Sequence, residues 1–64
     1  PMPVITLESS KLRKEQKAQL VEEFTATAAK VMNLPPEVFV VILRENELEN
    51  IGSGGKLLAD LQKK

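Results

Sequence analysis

Three apolar stretches with three different rhythms run along the chain. The first, Pro1-Met2-Pro3-Val4-Ile5-Thr6-Leu7, is short, rich in β-branched residues and partly alternating, which predicts a strand. Pro3 has no N–H to give to a ladder, so the start or edge of a sheet is expected there. Glu8-Ser9-Ser10 is a polar break, and Ser10 is placed to cap a helix. From about Leu12 to Met32 the residues Leu20, Val21, Phe24, Ala28, Val31 and Met32 recur at helical spacing and build one apolar face. Lys14, Glu15, Lys17, Glu22, Glu23 and Lys30 then fall on the solvated side. Asn33 suits the left-handed position after a helix, and Pro35-Pro36 forbids continuation. Val38-Phe39-Val40-Val41-Ile42-Leu43 is apolar at every position, as a strand covered on both faces should be. A polar stretch from Arg44 to Asn50 leads to Ile51-Gly52-Ser53-Gly54-Gly55, a flexible turn needing unusual backbone angles. Lys56 to Gln62 is predicted as a short terminal helix with Leu57, Leu58 and Leu61 on one face.

The order strand, helix, strand, glycine turn and tail gives one α+β domain over residues 1–64, with no repeat or linker. A single crossover helix makes the two strands parallel. Two strands and one helix cannot cover both faces of Val38–Leu43, so the missing cover must come from other copies. Composition strengthens this expectation. A chain this short buries only about 60% of its unfolded surface, and small domains rely on disulfides, metals or oligomerisation. With no Cys and no His, the first two are closed off, yet the chain is 42% hydrophobic. Oligomerisation is the remaining staple.

Charge narrows the partners. Nine basic and nine acidic residues cancel, which argues against a nucleic-acid-binding arm. There is no Trp or Tyr, and Phe24 and Phe39 alone make no platform for stacking bases. The run Val38–Leu43 is too short to span a bilayer. No signal peptide is visible, and a cytoplasmic location is the expectation.

Composition also limits the chemistry. His, Cys and Tyr are absent, and a Lys or carboxylate would need deep burial to act as a base near neutral pH. The α-amino group titrates there without help, and here it is the secondary amine of Pro1. Beside a cation at the mouth of an apolar site its charged form would be disfavoured. By itself, an N-terminal proline is also simply what initiator-methionine removal leaves. Other motifs are weaker. Gly54-Gly55-Lys56 is reminiscent of a phosphate loop, but Asn50 and Leu57 stand where Gly and Ser or Thr belong. Glu45, Glu47 and Glu49 alternate without calcium-loop spacing and read as a solvated run. Lys11, Arg13 and Lys14 cluster at the helix start, where cations oppose the helix dipole.

Taken together, these pieces resemble the 4-oxalocrotonate tautomerase family. The features are the short chain, Pro1 opening a strand, Glu15-Gln16-Lys17 starting a helix, the apolar second strand and Ile51-Gly52-Ser53-Gly54-Gly55 near the end. The stretch Glu49 to Asp60 looks most like the DmpI branch. The resemblance covers nearly the whole chain. It implies a β-α-β subunit that pairs into a four-stranded sheet, with three such dimers forming a hexamer. It implies an isomerase that converts 2-hydroxy-dienoates to conjugated 2-oxo acids, as in aromatic hydrocarbon catabolism, with Pro1 as general base and no metal or organic cofactor. It also implies a small enol or 2-oxo acid as the partner. The family's arginine before the helix falls near Lys11 or Arg13, and Arg13 is preferred for its planar fork. The second-strand arginine that grips a carboxylate falls at Val40, and the active-site aromatic at Ile51. These two departures disfavour a dicarboxylate such as 2-hydroxymuconate. Arg44 shares a strand face with Val40 but lies about 13 Å farther along, so only another subunit could present it in that role. Met2-Pro3-Val4-Ile5 itself resembles a family start; as numbered, Pro3 is a tertiary amide, and Pro1 is the assigned base. The alternatives are hydration, dehalogenation or decarboxylation by Pro1, or a non-catalytic oligomeric homologue.

Overall fold

The structure, a computed structural model, describes residues 2–61. Strand β1, Val4–Ser9, is followed by helix α1, Lys14–Met32, and by strand β2, Val40–Glu45. The two strands pair in parallel, from Val4 opposite Val40 to Ser9 opposite Glu45. The unit is thus the expected β-α-β crossover.

Local chemistry sets the ends of each element. Helix α1 starts later than the apolar pattern alone suggests. Ser10 is not its cap; Arg13 is, with extended backbone angles (φ −76°, ψ 157°). The Gln16 side chain accepts the Arg13 N–H at 2.9 Å, which satisfies one donor at the helix entrance. At the other end Asn33 is left-handed (φ 58°), as its residue type suggests. Strand β2 also starts later, at Val40. Pro35 and Pro36 open a 3-10 turn, Pro36–Val38. Val38 and Phe39 donate their N–H groups back to Pro35 and Pro36, so those donors are spent before a ladder begins.

Beyond β2 the sequence-based expectation is corrected. The glycine turn is the loop of a small hairpin, β3 (Gly52–Ser53) against β4 (Lys56–Leu57). Gly54 and Gly55 have φ of 61° and 83°, the two successive left-handed positions that a tight hairpin of matching twist requires. The terminal helix, α2, runs only over Leu58–Leu61. Lys56 and Leu57 belong to the hairpin because the ladder captures them first, and Gln62 lies outside the described residues.

The sheet has two unlike faces. Ile5, Leu7, Val41 and Leu43 share one face by strand alternation and are half-buried, and the half-buried Leu20, Phe24 and Ala28 of α1 line a groove with Ile5 on that face. On the opposite face Val4 and Ile42 remain 54% and 38% exposed. The helix also leaves Val31 75% exposed, on the rim of an open groove shared with Ile5, Phe24 and Met32. Among the described residues, no side chain is fully buried. The radius of gyration, 15.1 Å, exceeds the value of about 11 Å for a compact chain of this length. A sheet covered on one side, with a tail that extends the molecule, is what a subunit completed by other copies looks like.

Native mass spectrometry at micromolar concentration should therefore show an oligomer, a dimer at least. Val31→Glu should weaken assembly strongly. At a truly solvent-facing site the same change would stay within about 0.5 kcal/mol, and a stable folded monomer would contradict the argument.

Candidate active site

The residues singled out from the sequence fall at two ends of the β-α-β unit. Pro3 heads β1, and its carbonyl accepts the Val40 N–H at 3.0 Å. Val40 is the partner of Val4 in the ladder, so Val40 and Pro3 share one end of the sheet. Pro1 lies outside the described residues. Lys11 and Arg13 sit at the other end, in the loop that leaves β1. From Pro3 to Ser9 the strand advances roughly 20 Å at the usual rise per residue. That span exceeds the reach of an arginine side chain. Within one subunit, no small substrate can touch both the head of β1 and the Lys11–Arg13 loop.

The loop end is held by polar ties. Asn46 donates its backbone N–H to the Ser9 carbonyl at 2.7 Å. Glu45, last residue of β2, accepts the Leu12 N–H at 2.8 Å and the Lys17 ammonium at 3.0 Å. Glu8 accepts from the Asn46 amide at 3.0 Å and from the Arg44 guanidinium at 3.3 Å. Arg44 is therefore engaged with its ladder partner, at the end of the sheet away from Val40. Each candidate anchor has an exposed carboxylate neighbour. Lys11 lies 3.9 Å from Glu47, and Arg13 lies 3.3 Å from Glu15. Such solvated pairs are weak, so an incoming carboxylate can displace either acid.

Ile51 follows a 3-10 turn, Leu48–Asn50. Its N–H donates to the Leu48 carbonyl at 3.2 Å, and its carbonyl accepts the Leu58 N–H at 2.8 Å. Those ties set it within the tail, half-buried. Gly54 and Gly55 form the hairpin turn and Lys56 opens β4, an arrangement of a hairpin rather than a phosphate cradle. Among the described residues, no group of three or more carboxylates stands close enough to hold a metal ion, and no helix is long and apolar enough to cross a membrane.

Sequence reasoning passes over Glu45 and Asn46. Both sit in a run that reads as solvated charge, and their partners Ser9, Leu12 and Lys17 are distant in sequence. No local pattern marks such a contact. The alternation of Glu45 and Glu47 is its faint trace, since both reach the same loop.

These ties shift two carboxyl groups. The Leu12 N–H, and next Lys17, hold the Glu45 carboxyl below its ordinary value. The Asn46 amide, aided by Arg44 and opposed by partial desolvation, does the same for Glu8. A depressed folded-state value contributes stability above the ordinary glutamate value of about 4.3, and that contribution is lost as pH falls through the folded value. Unfolding curves should therefore show stability declining below that point, and Glu45→Gln should flatten the decline. An unchanged acid profile in Glu45→Gln would show that the carboxylate is not held as described.

Comparison with known proteins fits this geometry. Residues 3–61 match the profile of a family described as Tautomerase enzyme. The chain is similar to the crystal structure of DmpI from Archaeoglobus fulgidus, with 34% identity and a TM-score of 0.86, covering 91% of this chain and 100% of that one. DmpI from Helicobacter pylori is 31% identical with a TM-score of 0.84, covering 91% and 98%. A heterohexameric 4-oxalocrotonate tautomerase from Chloroflexus aurantiacus J-10-fl is 27% identical with a TM-score of 0.87, covering 95% and 100%. A comparison with curated proteins finds none that matches. With a family match over nearly all of its length and the β-α-β frame in place, the chain belongs to the tautomerase family.

Proposed function

We propose that the protein is an isomerase that converts a 2-hydroxy-dienoate to the conjugated 2-oxo acid, with a proline α-amine as general base. The observation that carries this is the family match over residues 3–61. The neutral amine takes the proton of the 2-hydroxyl group. The electron pair moves along the diene, a ketone forms at C2, and the proton returns from the nitrogen to the terminal carbon. The result is a double bond conjugated with the new carbonyl. A positioned base of this kind contributes about 10²–10⁴-fold. Arg13, or Lys11 beside it, binds the carboxylate from a neighbouring subunit, because the two sheet ends of one subunit are too far apart. Val40 and Ile51 supply apolar wall, which favours an enol acid with a single carboxylate. The assembly in this reading is a homohexamer built from three dimers.

Two nitrogens compete for the base. In the chain as numbered, Pro1 carries the free amine and Pro3 is an amide without basicity. One observation favours Pro3: the family match begins there, and its carbonyl pairs with Val40 at the head of the sheet. Three forms separate the two: the chain starting at Pro1, the same chain with Met ahead of Pro1, and a chain trimmed to start at Pro3. With Pro1 as base, the first is active and the other two lose nearly all turnover of 2-hydroxy-2,4-pentadienoate. With Pro3 as base, only the trimmed chain is active. Equal turnover by all three would remove both prolines and with them the mechanism.

For the anchor, Arg13→Ala should raise KM more than Lys11→Ala, by roughly tenfold, because a planar fork binds a carboxylate bidentately. Equal and negligible effects in steady-state assays would leave the basic cluster as plain surface.

A further inference from the structure

The loop that carries the two candidate anchors is pinned at three points. Ser9, at its start, accepts the Asn46 N–H at 2.7 Å. Arg13, at its end, gives its backbone N–H to Gln16 at 2.9 Å. Between them Leu12, flanked by Lys11 and Arg13, donates its N–H to Glu45 Oε2 at 2.8 Å. The third tie differs from the others because it comes from a side chain rooted in the sheet. Glu45 ends β2 opposite Ser9. Its other oxygen is held by Lys17 of α1 at 3.0 Å. The Glu45–Lys17 pair is also the least exposed ion pair among the described residues, at 33% and 38%, against 57% or more for both members of every other pair. One carboxylate thus joins the sheet, the helix and the middle of the loop. The Arg13 side chain is 72% exposed and pairs with the equally solvated Glu15 at 3.3 Å, but it springs from a fixed backbone.

We propose that Glu45 is a positioning residue for substrate binding: by holding the Leu12 N–H it fixes the Lys11–Arg13 loop in the shape that presents the Arg13 guanidinium to a substrate carboxylate. The inference rests on the role proposed for Arg13. An anchor on a fixed root spends less ordering entropy on binding than one on a mobile loop. Glu45 itself touches no substrate, so its influence falls on binding rather than on the proton transfer.

Steady-state kinetics of the assembled protein with 2-hydroxy-2,4-pentadienoate test this. Glu45→Ala should raise KM about tenfold, the scale of losing a charge-assisted hydrogen bond. Its kcat should stay within about twofold of the parent, because the base is untouched. Glu45→Gln should bind nearly as the parent does, since its amide oxygen still accepts the Leu12 N–H. The double variant Arg13→Ala/Glu45→Ala should be no worse in KM than Arg13→Ala alone, because Glu45 acts through Arg13. If Glu45→Ala fails to assemble, Glu45→Asp replaces it with the same expectation, its shorter side chain drawing the oxygen away from Leu12. An unchanged KM in Glu45→Ala beside a raised KM in Arg13→Ala overturns the positioning role and leaves the Arg13 reading standing. Additive KM losses in the double variant also overturn it. An unchanged KM in Arg13→Ala overturns the anchor, and the positioning role falls with it.

Discussion

Everything in this subunit depends on a shortage of cover. One helix shields one face of a two-stranded sheet, and the other face carries Val4 and Ile42 into solvent. Burying apolar surface is the main favourable term in folding, at about 25 cal/mol per Å². A chain with no fully buried side chain among its described residues has left much of that term unused. Association with further copies is how so small a fold recovers it. The same shortage explains why the second strand is apolar from Val40 to Leu43, on the bare face as well as the covered one.

The chemistry inherits this constraint. The head of β1 and the Lys11–Arg13 loop stand at opposite ends of the sheet, too far apart for one small substrate to touch both within a single subunit. In the function proposed above, assembly does two jobs at once, covering apolar surface and bringing a base near a cation. The polar stitching at the exit of β2 belongs to the same design. Glu45, Asn46 and Glu8 hold the loop end rigid without a buried core to hold it.

Much of this is legible in the sequence, and the failures have physical causes. The periods of the apolar residues give the order of the main elements, and Asn33 and Pro35-Pro36 mark the end of the helix correctly. The starts of α1 and β2 are displaced because backbone donors at Leu12, Val38 and Phe39 are taken by partners that periodicity does not register. The hairpin at Gly54-Gly55 reads only as a flexible turn, and the two-residue strands beside it are too short to show a period. Periodicity sets Val40 inside a strand that begins at Val38, whereas the structure makes it the first residue of β2, next to Pro3. Glu45 escapes notice because a clamp between residues 28 and 33 positions apart leaves no local signature.

The central claim is that each active site draws on two subunits. Two defective proteins test it most directly: one with its proline amine blocked by an added N-terminal methionine, the other Arg13→Ala. Each is assayed alone at low substrate concentration, and then the two are unfolded together, refolded as mixed oligomers and assayed again. Sites shared between subunits predict that the mixture is clearly more active than the average of its parts, because some interfaces join an intact amine to an intact Arg13. A mixture no more active than the average of its parts, with mixed oligomers confirmed by native mass spectrometry, would contradict the account.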